Sequence, residues 1–118
     1  MNPDVVGREQ RAGAVFAALA DPTRREVLSI VGRRGPLSAT ELAGDLPVSR
    51  QAVAKHLDAL RGAGLVDATR DGRAVRYALT GDALDDAAAW MADVGRQWDD
   101  RLEALRTRAE QRRGRAPS

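Results

Sequence analysis

Residues 49–60, SRQAVAKHLDAL, contain the chain's only lysine and its only histidine. The stretch begins with serine, a preferred helix cap, and apolar residues then repeat at helical spacing from Val53 to Leu60. The opposite side carries Gln51 and Lys55. Glutamine can hydrogen-bond to base edges, and lysine pairs with phosphates. The pattern predicts an amphipathic helix that lies against a nucleic acid; an ordinary solvated helix face is the alternative.

The sequence on either side of this helix favours the first interpretation. Residues 37–46 predict a short helix, capped by Ser38 or Thr40, and a tight turn connects it to the helix above. A short helix, a turn and a second amphipathic helix form the helix-turn-helix pattern. The period then changes from 3.6 to 2, and two strands flank Asp71-Gly72, a dipeptide typical of tight hairpins. The hairpin would be the wing of a winged helix-turn-helix.

The predicted DNA contacts follow from this arrangement. In a helix-turn-helix protein the N-terminal part of the second helix enters the major groove. Arginines around a hairpin turn suit phosphates or a minor groove, although they also keep an edge strand soluble. The residues predicted to contact DNA are Ser49, Arg50, Gln51, Ala52, Lys55 and His56 in the helix, Ser38 before the short helix, Arg24 in an earlier helix, and Arg70, Arg73 and Arg76 in the hairpin.

Structural roles explain some of these residues equally well. Arg24 and Arg25 lie in the first turn of a helix after the sequence DPT, where they clamp a phosphate or remain solvated helix charges. One of Arg76 and Tyr77 must face inward, and Tyr77 is the better core residue. His56 either packs or contacts a phosphate.

Composition restricts the class of protein. A length of 118 residues suits one domain. No cysteine is present, so the chain has neither a disulfide framework nor a thiolate metal site. No apolar run approaches the roughly 18 residues of a membrane span, and no signal peptide is visible. A cytoplasmic protein without a membrane partner is expected. Neither a glycine-rich phosphate loop nor a nucleophile with its base is present, so we predict no enzyme activity and no cofactor.

Charge is distributed unevenly along the chain. Residues 22–79 carry ten basic and six acidic side chains, a net charge of +4. Residues 80–105 carry two basic and seven acidic side chains, a net charge of −5. Residues 106–118 return to +4, with five arginines and one glutamate. A basic middle followed by an acidic segment predicts an anionic partner for the middle only.

The predicted fold is mainly α, with about five helices and a small β-hairpin wing. Residues 1–7 are expected to be a flexible N-terminal arm, residues 8–105 the winged helix-turn-helix domain, and residues 106–118 a polar, disordered C-terminal tail. The last helix begins after Thr80 and is too long to pack throughout against so small a core. Its apolar stripe includes Met91, Trp98, Leu102 and Leu105, with Trp90 and Val94 alongside. Tryptophan is enriched in interfaces, so the stripe predicts a dimer; packing against the first helix is the alternative.

Residues 16–79 resemble the ArsR/SmtB family of bacterial winged-helix regulators. The matching pieces are LADPTRREVL, the ELA of the short helix, SRQAVAKHLDALRGAGLV, and DGRAVRYAL in the wing. The resemblance implies a homodimer that binds an imperfect palindrome as its operator, usually represses transcription, and releases DNA when an effector binds. It also implies that the first and last helices form the dimer interface. The predicted interface residues are Val15, Phe16, Trp90, Met91, Val94, Trp98, Leu102 and Leu105.

The sequence departs from this family where relatives sense their signals. The short helix, ELAGDLP, lacks the cysteine pair that many relatives carry, and the last helix has six aspartates but no histidine. Carboxylates alone bind transition metals weakly, so we predict no metal site and leave the effector unknown. A weak nickel- or zinc-responsive site built from carboxylates at the dimer interface is one alternative. A winged helix that binds another protein is a second, and the MarR and PadR families are rivals within the DNA-binding class.

Overall fold

The computed structural model describes residues 3–114, with side chains from residue 6 onward. The described chain contains five helices and three short strands. The helices are α1 (Pro3–Ala18), α2 (Pro22–Arg34), α3 (Ala39–Gly44), α4 (Arg50–Gly62) and α5 (Gly81–Gly114), and the strands are β1 (Leu37–Ser38), β2 (Val66–Asp71) and β3 (Ala74–Leu79). The predicted fold, mainly α with a hairpin wing after a helix-turn-helix, is confirmed. Of the described residues, those up to residue 87 form one compact unit and those from residue 88 onward form a second.

Strand β3 is the centre of a three-stranded antiparallel sheet with the order β1-β3-β2. Asp71 pairs with Ala74, so the two turn residues are Gly72 and Arg73. Gly72 has a φ of +62°, a conformation that glycine adopts without strain, and glycine at the first position of a two-residue turn suits type II′. The hairpin prediction is therefore correct, but Asp71 ends a strand instead of occupying the turn. Strand β1 was not predicted, because two residues carry no readable period.

Helix α4 is anchored through one apolar face. Val53, Leu57 and Leu60 are fully buried, as the spacing predicted. Burying a side chain of this kind contributes about 1.5–3 kcal/mol. The opposite face, which includes Gln51 and Lys55, remains exposed. The rotation of α4 about its axis is thus set by its core contacts.

Side-chain caps mark the starts of three helices, α2, α3 and α4. The Asp21 carboxylate accepts a hydrogen bond from the Arg24 N–H at 3.1 Å and caps α2. Of the two candidates for α3, Ser38 is the cap, and it forms a reciprocal capping box with Glu41. Ser49 caps α4 by accepting from the Ala52 N–H at 3.1 Å. Each cap satisfies a backbone donor that the first helical turn leaves unpaired.

The terminal helices are longer than predicted. Helix α1 begins at Pro3 and includes residues 3–7, which were predicted to be a flexible arm. Helix α5 continues through residues 106–114, which were predicted to be disordered. Proline is favoured at the first helical position, and arginine, glutamate and glutamine are good helix formers. A polar composition is therefore compatible with an exposed helix. Residues 1–2 and 115–118 lie outside the described part.

None of the helices in the described range 3–114 has the length and apolar character needed to cross a bilayer.

Candidate nucleic-acid interface

An open cleft of about 650 Å³ lies where α3, α4 and the hairpin come together. Four of the residues predicted to contact DNA line it: Ser38, Arg50, Gln51 and Arg73. Thr40 lies in the same wall, and apolar side chains, including Val75 and Tyr77, complete the lining. The fold thus brings together polar and cationic groups that are up to 35 residues apart in the sequence.

Helix α4 directs its N-terminal end toward this cleft. Arg50 and Gln51, its first two residues, both line the cleft, and Lys55 is exposed one turn later. The Ser49 oxygen accepts the Ala52 N–H, which leaves the Ser49 hydroxyl proton available for another acceptor. The free N–H groups and the dipole of a helix N-terminus attract anions. This end of α4 therefore suits an anion such as a phosphate, beside exposed polar side chains.

The hairpin contributes exposed cations to the same region. Arg73 occupies the turn, and Arg70 lies on β2 opposite Val75 of β3. Both arginines are exposed, and neither forms an ion pair with a side chain among residues 6–114. Their guanidinium groups remain available to an external anion.

Arg76 differs, because it is held within the protein. Its guanidinium donates to the Glu41 carboxylate at 2.7 Å and to the Asp71 carboxylate at 3.2 Å. The same Glu41 carboxylate accepts the Ser38 N–H at 3.1 Å, and the Ser38 hydroxyl oxygen accepts the Glu41 N–H at 3.2 Å. The Ser38 N–H is the main reason that the pKa of Glu41 lies below its ordinary value, and the charge of Arg76 adds to the effect. Arg76 thereby ties β3 to the start of α3.

Arg24 and Arg25 cap the end of the preceding helix. The Arg24 guanidinium donates to the Ala18 carbonyl oxygen at 3.1 Å, and that of Arg25 donates to the Leu19 carbonyl oxygen at 2.7 Å. Cations at a helix C-terminus satisfy free carbonyls and complement the helix dipole. Neither sequence-based alternative, a phosphate clamp or a solvated charge, describes this arrangement, and Arg24 does not line the cleft.

His56 also lies away from the cleft. Its side chain is half-buried, and its Nδ1 atom is enclosed without a hydrogen-bond partner among the described residues. Asp21 is near enough for electrostatic interaction with His56. The pKa of Asp21 is lowered mainly by the hydrogen bond from the Arg24 N–H, with a smaller contribution from His56. Of the two roles considered for His56, this position favours packing.

The second unit exposes the predicted apolar stripe of α5. Met91, Trp98, Leu102 and Leu105 fall on one helical face and are 50–57% exposed. The Arg101 guanidinium lies 5.6 Å from the centroid of the Trp98 ring, a cation–π contact. Trp90 and Val94 are half-buried.

The predicted interface residues of α1 are less accessible. Val15 is buried in the first unit and offers no surface to a second copy, while Phe16 is half-buried. Helical spacing places both on the apolar side of α1, and it cannot distinguish a core contact from an interface contact.

Sequence reasoning missed Glu41 as the partner of Arg76 and Val75 as part of the cleft. A signal for Glu41 was present, since Ser38 followed three residues later by glutamate is the capping-box pattern. Val75 carried no such signal, because only the register of β3 determines that it is exposed.

Comparisons with known proteins agree with this geometry. Residues 19–68 match the family model of a helix-turn-helix domain. The chain is 31% identical over 88 residues to the transcriptional repressor SdpR of Bacillus subtilis, a match that covers 75% of this chain and 97% of SdpR. An ArsR-like transcriptional regulator from Rhodococcus sp. RHA1 matches with 46% identity and a TM-score of 0.78, covering 87% of this chain and 96% of that one. The homodimeric winged helix-turn-helix DNA-binding domain of Mb0332 from Mycobacterium bovis matches with 25% identity and a TM-score of 0.63, covering 88% and 93%.

The chain belongs to the ArsR family. This ArsR-family protein is a DNA-binding transcriptional regulator, with α3 and α4 as its helix-turn-helix and β2–β3 as its wing. The resemblance found in the sequence is confirmed.

The capping network of this ArsR-family regulator makes its stability depend on pH. Glu41→Gln keeps an acceptor for the Ser38 N–H but removes the carboxylate. Folding lowers the pKa of Glu41, so ionised Glu41 stabilises the protein fully above its ordinary value of 4.5 and loses this effect as the pH falls through the lowered value. We expect the free energy of unfolding of the wild type to fall more steeply than that of Glu41→Gln between about pH 5 and about pH 3, measured by urea denaturation. Glu9→Gln, which removes an exposed carboxylate from α1, is the control. Identical slopes for wild type and Glu41→Gln would contradict the prediction.

Proposed function

We propose that this ArsR-family regulator is a homodimeric repressor that binds a palindromic operator through α4 and the wing. The observation that carries the proposal is the cleft in which Arg50, Gln51 and Arg73 meet. A helix N-terminus beside a cationic hairpin matches the shape and charge of a duplex groove bordered by phosphates. The relative SdpR is a transcriptional repressor, which supports repression, and the related M. bovis domain is homodimeric, which supports a homodimer.

The proposed DNA contacts divide into two kinds. Gln51 and Lys55 face the major groove, with Ala52 near a thymine methyl group and the Ser49 hydroxyl near a base or a phosphate. The residues assigned to phosphates are Arg50, Arg70, Arg73 and Ser38. The remaining three predicted residues receive structural roles: Arg24 caps α1, Arg76 links β3 to α3, and the half-buried His56 has a packing role in α4.

The exposed stripe on α5 supports the homodimer. Four large apolar side chains on one helical face, including Trp98, form a surface that a second copy would bury. A two-fold dimer presents two α4 helices to half-sites separated by about one helical turn, roughly 34 Å. The relatives named above are transcriptional regulators, and this favours a regulatory role for the chain instead of an enzymatic one.

The direct test is binding to the DNA upstream of the chain's own gene. Fragments from this region and fragments of shuffled sequence are compared by electrophoretic mobility shift at several salt concentrations. Preferential binding, with an affinity that falls steeply as salt rises, supports the proposal, because each phosphate contact releases counterions. Equal affinity for all fragments, or no binding, contradicts it. Binding of a protein in place of DNA would favour the interaction-module alternative.

Gln51→Ala tests base reading. We expect it to reduce the preference for the operator over shuffled DNA by about 1–3 kcal/mol for each half-site while changing non-specific affinity little, because a base-edge contact carries sequence information. The control is Gln10→Ala, on the exposed side of α1. A loss of the same size on operator and shuffled DNA would show that Gln51 does not read bases.

Arg73→Ala tests the wing. We expect weaker binding to every sequence and a salt slope that is smaller by about 2, because each of the two wings of the dimer loses one phosphate contact. Arg8→Ala, an exposed arginine of α1, serves as the matched control. If the slope of Arg73→Ala equals that of the control, the wing does not contact phosphates.

Trp98→Ala tests the dimer. Truncating a buried interface tryptophan costs about 2 kcal/mol or more, and the dimer carries two copies, so its dissociation constant should rise at least roughly 30-fold. Sedimentation equilibrium measures the change, with Gln97→Ala as the control on the neighbouring helix face. An unchanged dissociation constant would move the interface elsewhere.

A further inference from the structure

A second cleft, with a volume of about 400 Å³, lies within the first unit between α2, the end of β3 and the start of α5. Its lining consists almost entirely of apolar atoms, and Leu28, Leu79 and Leu84 contribute to it. Leu79 is 41% exposed, so the described chain leaves a large apolar side chain partly uncovered. The volume falls within the range typical of small-molecule sites.

Two arginines also line this cleft, through the hydrocarbon parts of their side chains, and their guanidinium groups differ in what they bind. Arg25 is occupied, because its guanidinium donates to the Leu19 carbonyl oxygen at 2.7 Å. The Arg33 side chain is exposed, and its guanidinium forms no ion pair or side-chain hydrogen bond within the described range. No acidic residue belongs to the lining. An apolar cleft with one exposed, uncommitted guanidinium beside it is complementary to an apolar molecule that carries one negative charge.

We propose that this cleft binds an apolar monocarboxylate. The hydrocarbon part lies against Leu28, Leu79 and Leu84, and the carboxylate pairs with Arg33. The apolar surface supplies the burial energy, and the ion pair orients the ligand.

The position of the cleft gives the ligand a route to the DNA-binding surface. Leu79 ends β3, and Ala74 at the other end of the same strand adjoins the turn residue Arg73. When β3 can adopt two conformations, a ligand that binds one of them more tightly shifts the population toward that conformation and moves the wing with it. This consequence rests on the proposed DNA contact of the wing, whereas binding of the ligand does not.

A second copy of the chain is the competing occupant. None of the eight residues predicted for the dimer interface lines this cleft. The uncommitted charge of Arg33 would need an acidic partner if a protein surface covered it. Both points favour the carboxylate.

The experiment titrates the full-length protein with decanoate by isothermal calorimetry, without DNA. Decan-1-ol, which has the same chain and no charge, is the ligand control. Gly32→Leu fills the cleft: a Cβ at Gly32 meets the Leu79 Cδ2 at 3.8 Å, an ordinary contact, so the larger side chain extends into the space. Gly62→Leu, at a helical glycine whose Cβ would meet nothing within 4 Å, is its control. Arg33→Gln is paired with Arg61→Gln, since both arginines lie in the last turn of a helix.

We expect saturable binding of decanoate with one site per chain and weaker binding of decan-1-ol. Arg33→Gln and Gly32→Leu should each weaken decanoate binding at least about tenfold, while their controls do not. Absence of saturable binding, equal affinity for the alcohol, or equal losses in the controls overturns the proposal. A shift of Gly32→Leu toward monomer in sedimentation also overturns it, because a second copy then covers the cleft. Failure of operator binding alone would overturn the proposed function and leave the decanoate result unaffected.

Discussion

Burial of the apolar face of α4 is the constraint on which the rest of the structure depends. Val53, Leu57 and Leu60 have no exposed surface, and they hold the helix in one rotation about its axis. Successive residues of a helix are rotated by about 100° about its axis. With Val53 and Leu57 facing the core, Gln51 and Lys55 therefore lie on the exposed side. Any DNA contact made by this helix is therefore a consequence of core packing. The Ser49 cap then sets where the helix begins and which residues stand at its N-terminal end.

The arginines show how one residue type takes different roles in a small domain. Arg73, in the hairpin turn, forms no ion pair with a carboxylate among the described side chains, and its charge remains available. Arg76, three residues later, is shared between Glu41 and Asp71 and joins the sheet to α3. Arg24 and Arg25 are used at the end of α1, where carbonyl oxygens lack partners. The basic charge of residues 22–79 thus overstates the number of cations available to DNA.

The cleft beside α4 and the apolar cleft beside α2 share strand β3. One end of the strand, at Ala74 and Val75, lines the cleft beside α4, and the other end, at Leu79, lines the apolar cleft beside α2. Six residues of paired backbone connect them. Strand β2 pairs along the whole of β3, and β1 pairs with Arg76 and Tyr77 at its middle, so one continuous backbone ladder joins the two clefts.

Local patterns in the sequence determined much of this protein. Helical spacing identified the buried face of α4, capping residues located the starts of α2 and α4, and a change of period located the hairpin. These features depend on residues within a turn or two of each other, and they are readable for that reason. The motifs in residues 16–79 also indicated the family correctly. The composition of residues 106–114 did not separate an exposed helix from disorder, because both are polar.

The tertiary structure alone decided which polar residues remain available. The pairing of Arg76 with Glu41, across 35 positions, requires β3 to lie beside α3. The burial of Val15 and the half-buried position of His56 depend on what packs against α1 and α4, and no local pattern records this. The apolar cleft around Leu79 arises where α2 meets the end of β3 and the start of α5, which lie far from α2 in the sequence. A sequence period states which side of an element is apolar, but only the packed fold determines whether that side meets the core, a partner or an open cleft.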